Sequence, residues 1–144
     1  MNTNKIEQII GDYYRYLKER DRENLVTLLS SDIVITYHAQ ESQLPWAGTF
    51  HGIEGFDQFF SIIREYLNVV DVEIIDSISG KNKVINQCEG MWQYKKSGYV
   101  VKGSMVNVFT VTDEKITGYD VYADTAAFTA GITGLSPDFL APHR

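Results

Sequence analysis

The stretch KVINQCEGMWQYKKSGYVVKGSMVNVFTVTDEKITGYDVYA, residues 83–123, carries most of the information on the fold. Its β-branched and aromatic segments predict three strands, over residues 83–95, 99–111 and 115–123. The polar segments between them predict tight turns, at residues 96–98 and 112–114. Strands joined by such short turns pair in antiparallel orientation. This part of the chain therefore predicts a long antiparallel meander.

The segments before the meander are largely helical. Apolar residues at helical spacing predict a first helix from Ile6 to Leu17, and Asp21 is suited to cap a short second helix. A bulky apolar stripe from Phe56 to Leu67 predicts a third helix. The remaining segments predict two strands and one loop, over residues 33–38, 72–79 and 39–52 respectively. Helices followed by a meander are typical of an α+β fold with the helices on one face of the sheet.

The length of 144 residues is that of a single domain over residues 1–144. We expect a core over residues 1–124 and a C-terminal tail over residues 125–144. The tail carries apolar residues, so we expect it to pack on the core or on a partner chain. Neither face of the meander strands is wholly polar. This pattern predicts a homodimer formed through the outer face of the sheet.

Composition excludes several classes of partner and cofactor. A net charge of −6 and a pI near 5.0 argue against a nucleic acid partner and against an anionic membrane surface. No segment approaches the roughly 20 apolar residues that span a bilayer. Cys88 is the only cysteine, and no histidine pair has the spacing of metal ligands, so we expect neither a disulfide nor a metal site. We also expect no cofactor, because no phosphate-binding loop appears, and the absence of a signal peptide favours the cytoplasm.

Four polar residues are candidates for chemistry, each with a structural alternative. Asn107 lies on the apolar face of its strand, so its amide either meets a ligand or is satisfied by backbone or buried water. Tyr13, within the stripe of the first helix, points its hydroxyl either into a pocket or to the helix edge. His38 is either a general base or a structural histidine. Asp124 is either an acid or base at a pocket mouth or the cap of the following turn.

Large apolar residues predict the walls of the pocket around these groups. They lie on the same strand faces or in the Pro45 loop, and are Trp46, Phe50, Met105, Phe109 and Tyr119. Trp46 has the alternative of pinning its loop. Walls of this kind suit a small apolar or aromatic ligand.

Several short motifs are distributed along the chain. They are Leu44-Pro45-Trp46-Ala47-Gly48-Thr49-Phe50-His51-Gly52, Phe59-Phe60, Asn107-Val108-Phe109, Lys115-Ile116, Tyr119 and Tyr122-Ala123-Asp124. They resemble the nuclear transport factor 2-like superfamily, in its SnoaL-like and ketosteroid-isomerase-like branches. The resemblance implies the cystatin-like fold of that superfamily, in which a cone-shaped, curved antiparallel sheet packs on three helices of the N-terminal half. It also implies a pocket at one end of the cone and frequent dimers.

The resemblance further suggests roles for the polar residues. By similarity to ketosteroid isomerase, Tyr13 stands at the oxyanion-binding tyrosine, His38 at the carboxylate base and Asn107 at a protonated aspartic acid. By similarity to the SnoaL-like polyketide cyclases, Asp124 lies near an acidic residue that ends the last strand. One hypothesis is therefore a cofactor-independent isomerase or cyclase-type lyase that acts by general acid–base catalysis on a small apolar carbonyl compound. The alternative is a non-catalytic ligand-binding or dimerisation module of the same fold.

Overall fold

The structure is a computed structural model that describes residues 3–133. Its elements in chain order are α1 (Thr3–Glu19), α2 (Arg22–Val26), β1 (Leu29–Tyr37), β2 (Gly48–His51), α3 (Gly52–Tyr66), β3 (Leu67–Gly80), β4 (Lys83–Tyr94), β5 (Val100–Thr112), β6 (Lys115–Ala123) and α4 (Thr125–Thr133). Of the helices in this part of the chain, none is both long and apolar enough to cross a membrane.

The six strands form one curved sheet in the order β2-β1-β6-β5-β4-β3. Strands β3 to β6 pair as an antiparallel meander, so the predicted α+β fold is confirmed. One pair differs from a purely antiparallel sheet, because β1 runs parallel to β6. Strand β1 reaches the free edge of β6 from a distant part of the sequence, so no tight turn sets its direction.

Several element boundaries differ from the sequence prediction. Strand β2 lies inside the predicted loop, where its four residues begin at Gly48 and are followed by Gly52, both glycines at positive φ. Helix α3 ends at Tyr66, and Leu67 is already extended, so β3 begins five residues before the predicted position. The predicted cap of α2 is confirmed, since the Asp21 carboxylate accepts a hydrogen bond from Asn24 N at 3.3 Å.

The predicted alternation along β5 and β6 decides which residues form the core. Val101, Asn107 and Phe109 are buried on the inner face, whereas their neighbour Val100 is exposed. On β6, Tyr119 and Val121 are buried and Tyr122 points outward. Apolar side chains of α1 and α3 fill the inner, concave side of the sheet. The inner face is therefore the only face of β5 and β6 whose alternate positions are consistently buried within residues 3–133.

The first part of the predicted tail forms α4, which packs on the core. Phe128 is 3% exposed, and its ring lies 5.1 Å from Trp92 and 6.0 Å from Trp46. The hydroxyl of Tyr94 donates a hydrogen bond to Phe128 O at 2.6 Å, and the ring of Tyr94 lies against Gly131. The later apolar residues of the tail lie in 134–144, outside the described residues.

Candidate functional site

Two asparagines interrupt the apolar inner face of the sheet side by side. Asn86 on β4 and Asn107 on β5 are direct partners in the strand register. They are 2% and 1% exposed, and they are the only buried polar residues of the part of the chain that the structure describes. Because a buried amide without partners costs about 1–3 kcal/mol, their hydrogen bonds decide what this position contributes.

The partner that both amides share is the hydroxyl of Tyr14 on α1. This oxygen accepts a hydrogen bond from Asn107 Nδ2 at 2.9 Å and another from Asn86 Nδ2 at 3.2 Å. The Oδ1 of Asn86 accepts from Ser77 Oγ on β3 at 2.5 Å. The Oδ1 of Asn107, in contrast, has no hydrogen-bond partner among residues 3–133. The amide of Asn107 is thus only half satisfied.

The electrostatics keep Tyr14 in its neutral form. Burial raises the pKa of Tyr14 to about 12, although the two amide donors favour the phenolate and oppose that shift. Cys88 is fully buried beside this group, 3.9 Å from Asn107 Nδ2, and burial also raises the pKa of its thiol. Near neutral pH the cluster therefore carries no charge and can offer the phenol proton of Tyr14 as a donor.

A groove opens beside this cluster, between α1 and the inner faces of β3 and β4. Its volume is about 140 Å³. The residues that line it are Glu7, Ile10, Gly11, Tyr14, Ile74, Ser77, Val84 and Asn86. Its walls are mostly apolar, and its polar groups are those of the cluster together with the carboxylate of Glu7. A groove of this kind can hold a small apolar molecule by one oxygen atom.

The structure brings Tyr14 to the two asparagines, and not the adjacent Tyr13 that was predicted from the sequence. Tyr13 is 1% exposed, and its ring packs against Phe109 and Tyr119 at 5.1 and 5.9 Å. Burial raises the pKa of both Tyr13 and Tyr119 well above the ordinary value. Neither Asn86 nor Asn107 contacts Tyr13 through a hydrogen bond, because both donate to Tyr14. Tyr13 is thus a core residue, and Tyr14 is the residue that joins the amide pair.

His38 lies on the opposite side of the sheet from Asn107. Its Nε2 is 2.8 Å from Asp120 Oδ1, and its ring stacks on Tyr122 with centroids 4.1 Å apart. His38 lies on this side because successive side chains of a strand point to opposite faces. Tyr37, at the end of β1, points inward and is 5% exposed, so His38 points outward. The structure therefore does not bring His38 together with Tyr13 and Asn107.

Asp124 adopts the structural alternative. Its Oδ1 accepts a hydrogen bond from Ala127 N at 3.3 Å, at the start of α4. Asp124 thus serves as a helix cap.

None of the five predicted wall residues is among the residues that line the groove. Trp46, Phe109 and Tyr119 are buried in the core, and Phe50 and Met105 are half-buried beside it. Trp46 contacts Phe128 of α4 and Tyr66 of α3, which fits the alternative that it pins its loop. The groove is lined by smaller residues of α1, β3 and β4, which the sequence reasoning did not single out. Alternation along β4 would have found Asn86, which shares a face with Val84 and Cys88.

Metal ligands are not grouped in this part of the chain. Within residues 3–133 there is no set of three or more histidine, cysteine, aspartate or glutamate side chains placed to hold a metal ion.

Comparison with known proteins identifies the family. Residues 10–119 match the SnoaL-like domain family, and the protein belongs to that family. Among solved structures, the chain resembles an NTF2-like protein from Burkholderia thailandensis E264, with 20% identity, a TM-score of 0.79, and coverage of 92% of this chain and 98% of that chain. No curated protein matches the chain.

Two further solved structures resemble the chain and have names that suggest an activity. A putative isomerase from Rhodopseudomonas palustris has 13% identity and a TM-score of 0.76, with coverage of 93% of this chain and 99% of that chain. A putative SnoaL-like polyketide cyclase from Mesorhizobium loti has 20% identity and a TM-score of 0.66, with coverage of 81% and 97% respectively. At these identities the likeness shows the shared NTF2-like fold.

Proposed function

We propose that this protein binds a small, largely apolar molecule in the groove between α1 and β3–β4, with one oxygen atom of the molecule held by Tyr14. The observation that carries this proposal is the hydroxyl of Tyr14, whose oxygen already accepts hydrogen bonds from Asn86 and Asn107. A phenol oxygen has two lone pairs, so what remains to Tyr14 is its own proton.

Among the described residues, the acceptor beside that proton is a weak one. The thiol of Cys88 lies beside the phenol, and sulfur accepts hydrogen bonds poorly. A carbonyl or hydroxyl oxygen in the groove would be a better acceptor. The two amides would also strengthen this bond, because donors that bond to the phenol oxygen make its proton more acidic.

The walls of the groove set the remaining chemistry of the ligand. The groove is lined by the aliphatic side chains of Ile10, Ile74 and Val84. Ile10 and Val84 are buried, whereas Ile74 is 43% exposed although it lies on the inner face of the sheet. An apolar ligand that covered this surface would gain about 25 cal/mol for each Å² removed from water. The proposal therefore specifies an apolar body with one oxygen substituent, and not an anion or a sugar.

A pair of probes tests this proposal. 2-Naphthol and naphthalene differ by one hydroxyl group, and their binding can be followed by calorimetry or by ligand fluorescence. We expect wild type to bind 2-naphthol more tightly than naphthalene. The Tyr14→Phe variant should lose about 3- to 10-fold in affinity for 2-naphthol and little for naphthalene. Tyr16→Phe, on the same helix but outside the groove, is the matched control and should bind as wild type does. Equal affinity of the two probes for wild type would contradict the proposal.

A second candidate function is proton transfer within a bound carbonyl compound. It is favoured by the carboxylate of Glu7, which lines the groove, and by the names of the two neighbours described as an isomerase and a cyclase. Glu7 would remove a proton from carbon while Tyr14 donated a hydrogen bond to the developing enolate oxygen. The two residues are about 10 Å apart along the axis of α1, so the proton and the oxygen would lie at separate ends of a conjugated system.

Deuterium exchange distinguishes catalysis from binding. Isophorone, a cyclic enone, can be incubated with the protein in deuterated water and its ring protons followed by NMR. Catalysis predicts exchange above the buffer rate that is lost in Glu7→Gln and retained in Glu19→Gln, a control at the other end of α1. Exchange at the buffer rate with wild type would leave binding as the function.

We also propose that two copies associate through the outer face of the sheet. Val34, Ile85 and Tyr122 on that face are 37%, 37% and 49% exposed, which is unusual for apolar side chains in mid-strand. On this proposal the pair of His38 and Asp120 belongs to the interface and not to the groove.

A further inference from the structure

Gly11 stands at a position where glycine is unfavourable for the stability of the helix. It lies in the interior of α1, eight residues from Thr3 and eight from Glu19. Apart from proline, glycine is the least favourable residue in a helix interior, because it loses the most backbone entropy and exposes the backbone to water. A residue of this type in mid-helix calls for a compensating reason.

The described residues give no internal reason for this glycine. Its backbone is helical and does not have positive φ. A Cβ built on Gly11 would meet no atom within 4 Å. Other glycines differ in this respect, since a Cβ on Gly90 would overlap the indole of Trp92 and one on Gly131 would overlap the ring of Tyr94. Those glycines are explained by packing, and Gly11 is not.

Gly11 is instead explained by its place in the groove. It lines the groove together with Ile10 and Tyr14 of the same helix and Ile74 of β3. Tyr14 is one helical turn further along, and helical side chains lean towards the N-terminus of their helix. The phenol of Tyr14 therefore extends towards the turn that contains Gly11. The exposed backbone at Gly11 and the hydroxyl of Tyr14 are therefore neighbours in the groove.

We propose that Gly11 determines which molecules the groove accepts, by letting the flat face of an aromatic or fused-ring ligand lie against the backbone of α1. Absence of a side chain is the usual means by which a backbone approaches a ligand closely. With a ring against Gly11, an oxygen substituent on that ring reaches the proton of Tyr14. This inference rests on the proposed function and adds to it the shape of the ligand and the residue that selects it.

The test uses one substitution with two readouts that move in opposite directions. Gly11→Ala adds only a methyl group, and we expect its melting temperature to rise by about 3 °C, because alanine is the better helix former and nothing obstructs the methyl. The affinity for 2-naphthol should fall at least 10-fold, because the methyl occupies the space of the ring. Gly80→Ala is the matched control, since a Cβ there also meets no atom within 4 Å and Gly80 lies outside the groove. Its affinity should equal that of wild type.

The possible outcomes separate this inference from the proposed function. If wild type binds 2-naphthol, Tyr14→Phe weakens binding and Gly11→Ala does not, the proposed function stands and the inference about Gly11 is wrong. If Gly11→Ala lowers the melting temperature, Gly11 has a structural role and the inference is again wrong. If wild type fails to bind 2-naphthol, both are refuted.

Discussion

Replacement of the two buried asparagines by valine should have opposite effects on stability, although the two residues face each other in the sheet. Asn107 donates one hydrogen bond to Tyr14, worth about 1 kcal/mol, and a weaker one to the sulfur of Cys88, and it leaves its Oδ1 unpaired at a cost of about 1–3 kcal/mol. In Asn107→Val all of these contributions are lost, and the difference predicts a gain of about 1 kcal/mol in the free energy of unfolding. Asn86 makes two hydrogen bonds, to Tyr14 and from Ser77. Asn86→Val should therefore lower the free energy of unfolding by about 2 kcal/mol.

The pair of variants controls for the general effects of the substitution. Both sites are buried inner-face positions in central strands, so the gain in β propensity and in apolar burial is nearly the same for each. The two variants are predicted to differ by about 3 kcal/mol in the free energy of unfolding, which corresponds to roughly 9 °C in melting temperature. Urea unfolding followed by circular dichroism measures it, with the m-value as a check that the unfolded states are comparable. Equal losses in both variants would refute the reasoning, because Asn107 Oδ1 would then have a partner in the folded protein.

Three further substitutions test other parts of the structure. Gly131→Ala should destabilise the protein by about 1–3 kcal/mol in thermal unfolding, because its methyl group overlaps the ring of Tyr94; an increase in melting temperature would show that α4 does not pack there. The hydrogen bonds from Arg22 lower the pKa of Asp57, so their contribution is present above about pH 4 and is lost as the pH falls through the lowered pKa. Asp57→Asn should therefore lower the melting temperature near pH 7 and hardly change it near pH 2, whereas a constant difference would contradict the assignment. Tyr122→Lys should shift the protein to a smaller species in sedimentation velocity if the outer face is a dimer interface, and an unchanged sedimentation coefficient would argue against that interface.

The sequence predicted the sheet better than it predicted the site, for a geometric reason. Alternation with period two assigned Asn107 to the inner face, because a strand has only two faces and its neighbours were plainly apolar. The choice between Tyr13 and Tyr14 needs the rotation of α1 about its own axis. Adjacent helical residues differ by about 100° in direction, so Tyr13 lies within the apolar stripe and Tyr14 lies beside it. That rotation is set by packing against the sheet, which the sequence pattern of α1 alone does not contain.

His38 shows a second limit of prediction from the sequence. The face of the sheet on which its side chain lies depends on the alternation along β1, and a short apolar segment does not settle that alternation at its last residue. Because β1 pairs in parallel with β6, His38 is brought beside Asp120 and Tyr122, and the pairing partner could not be deduced from a tight turn. Strand β2 was missed for a related reason. A segment of four residues that begins at one glycine and precedes another is typical of a loop, and only its pairing with β1 identifies it as a strand.

Two residues that are poor for stability both lie beside Tyr14, and this coincidence is the strongest argument for a ligand in the groove. The hydroxyls of Tyr13 and Tyr99 are likewise buried without a hydrogen-bond partner among residues 3–133, but neither residue lines the groove. Gly11 weakens α1 without a packing reason, and Asn107 keeps an unpaired buried oxygen one hydrogen bond away from the groove. A purely structural domain would gain from alanine at the first position and from valine at the second. Both residues lie next to Tyr14, where a bound molecule would meet the bare backbone of α1 and the polarised phenol.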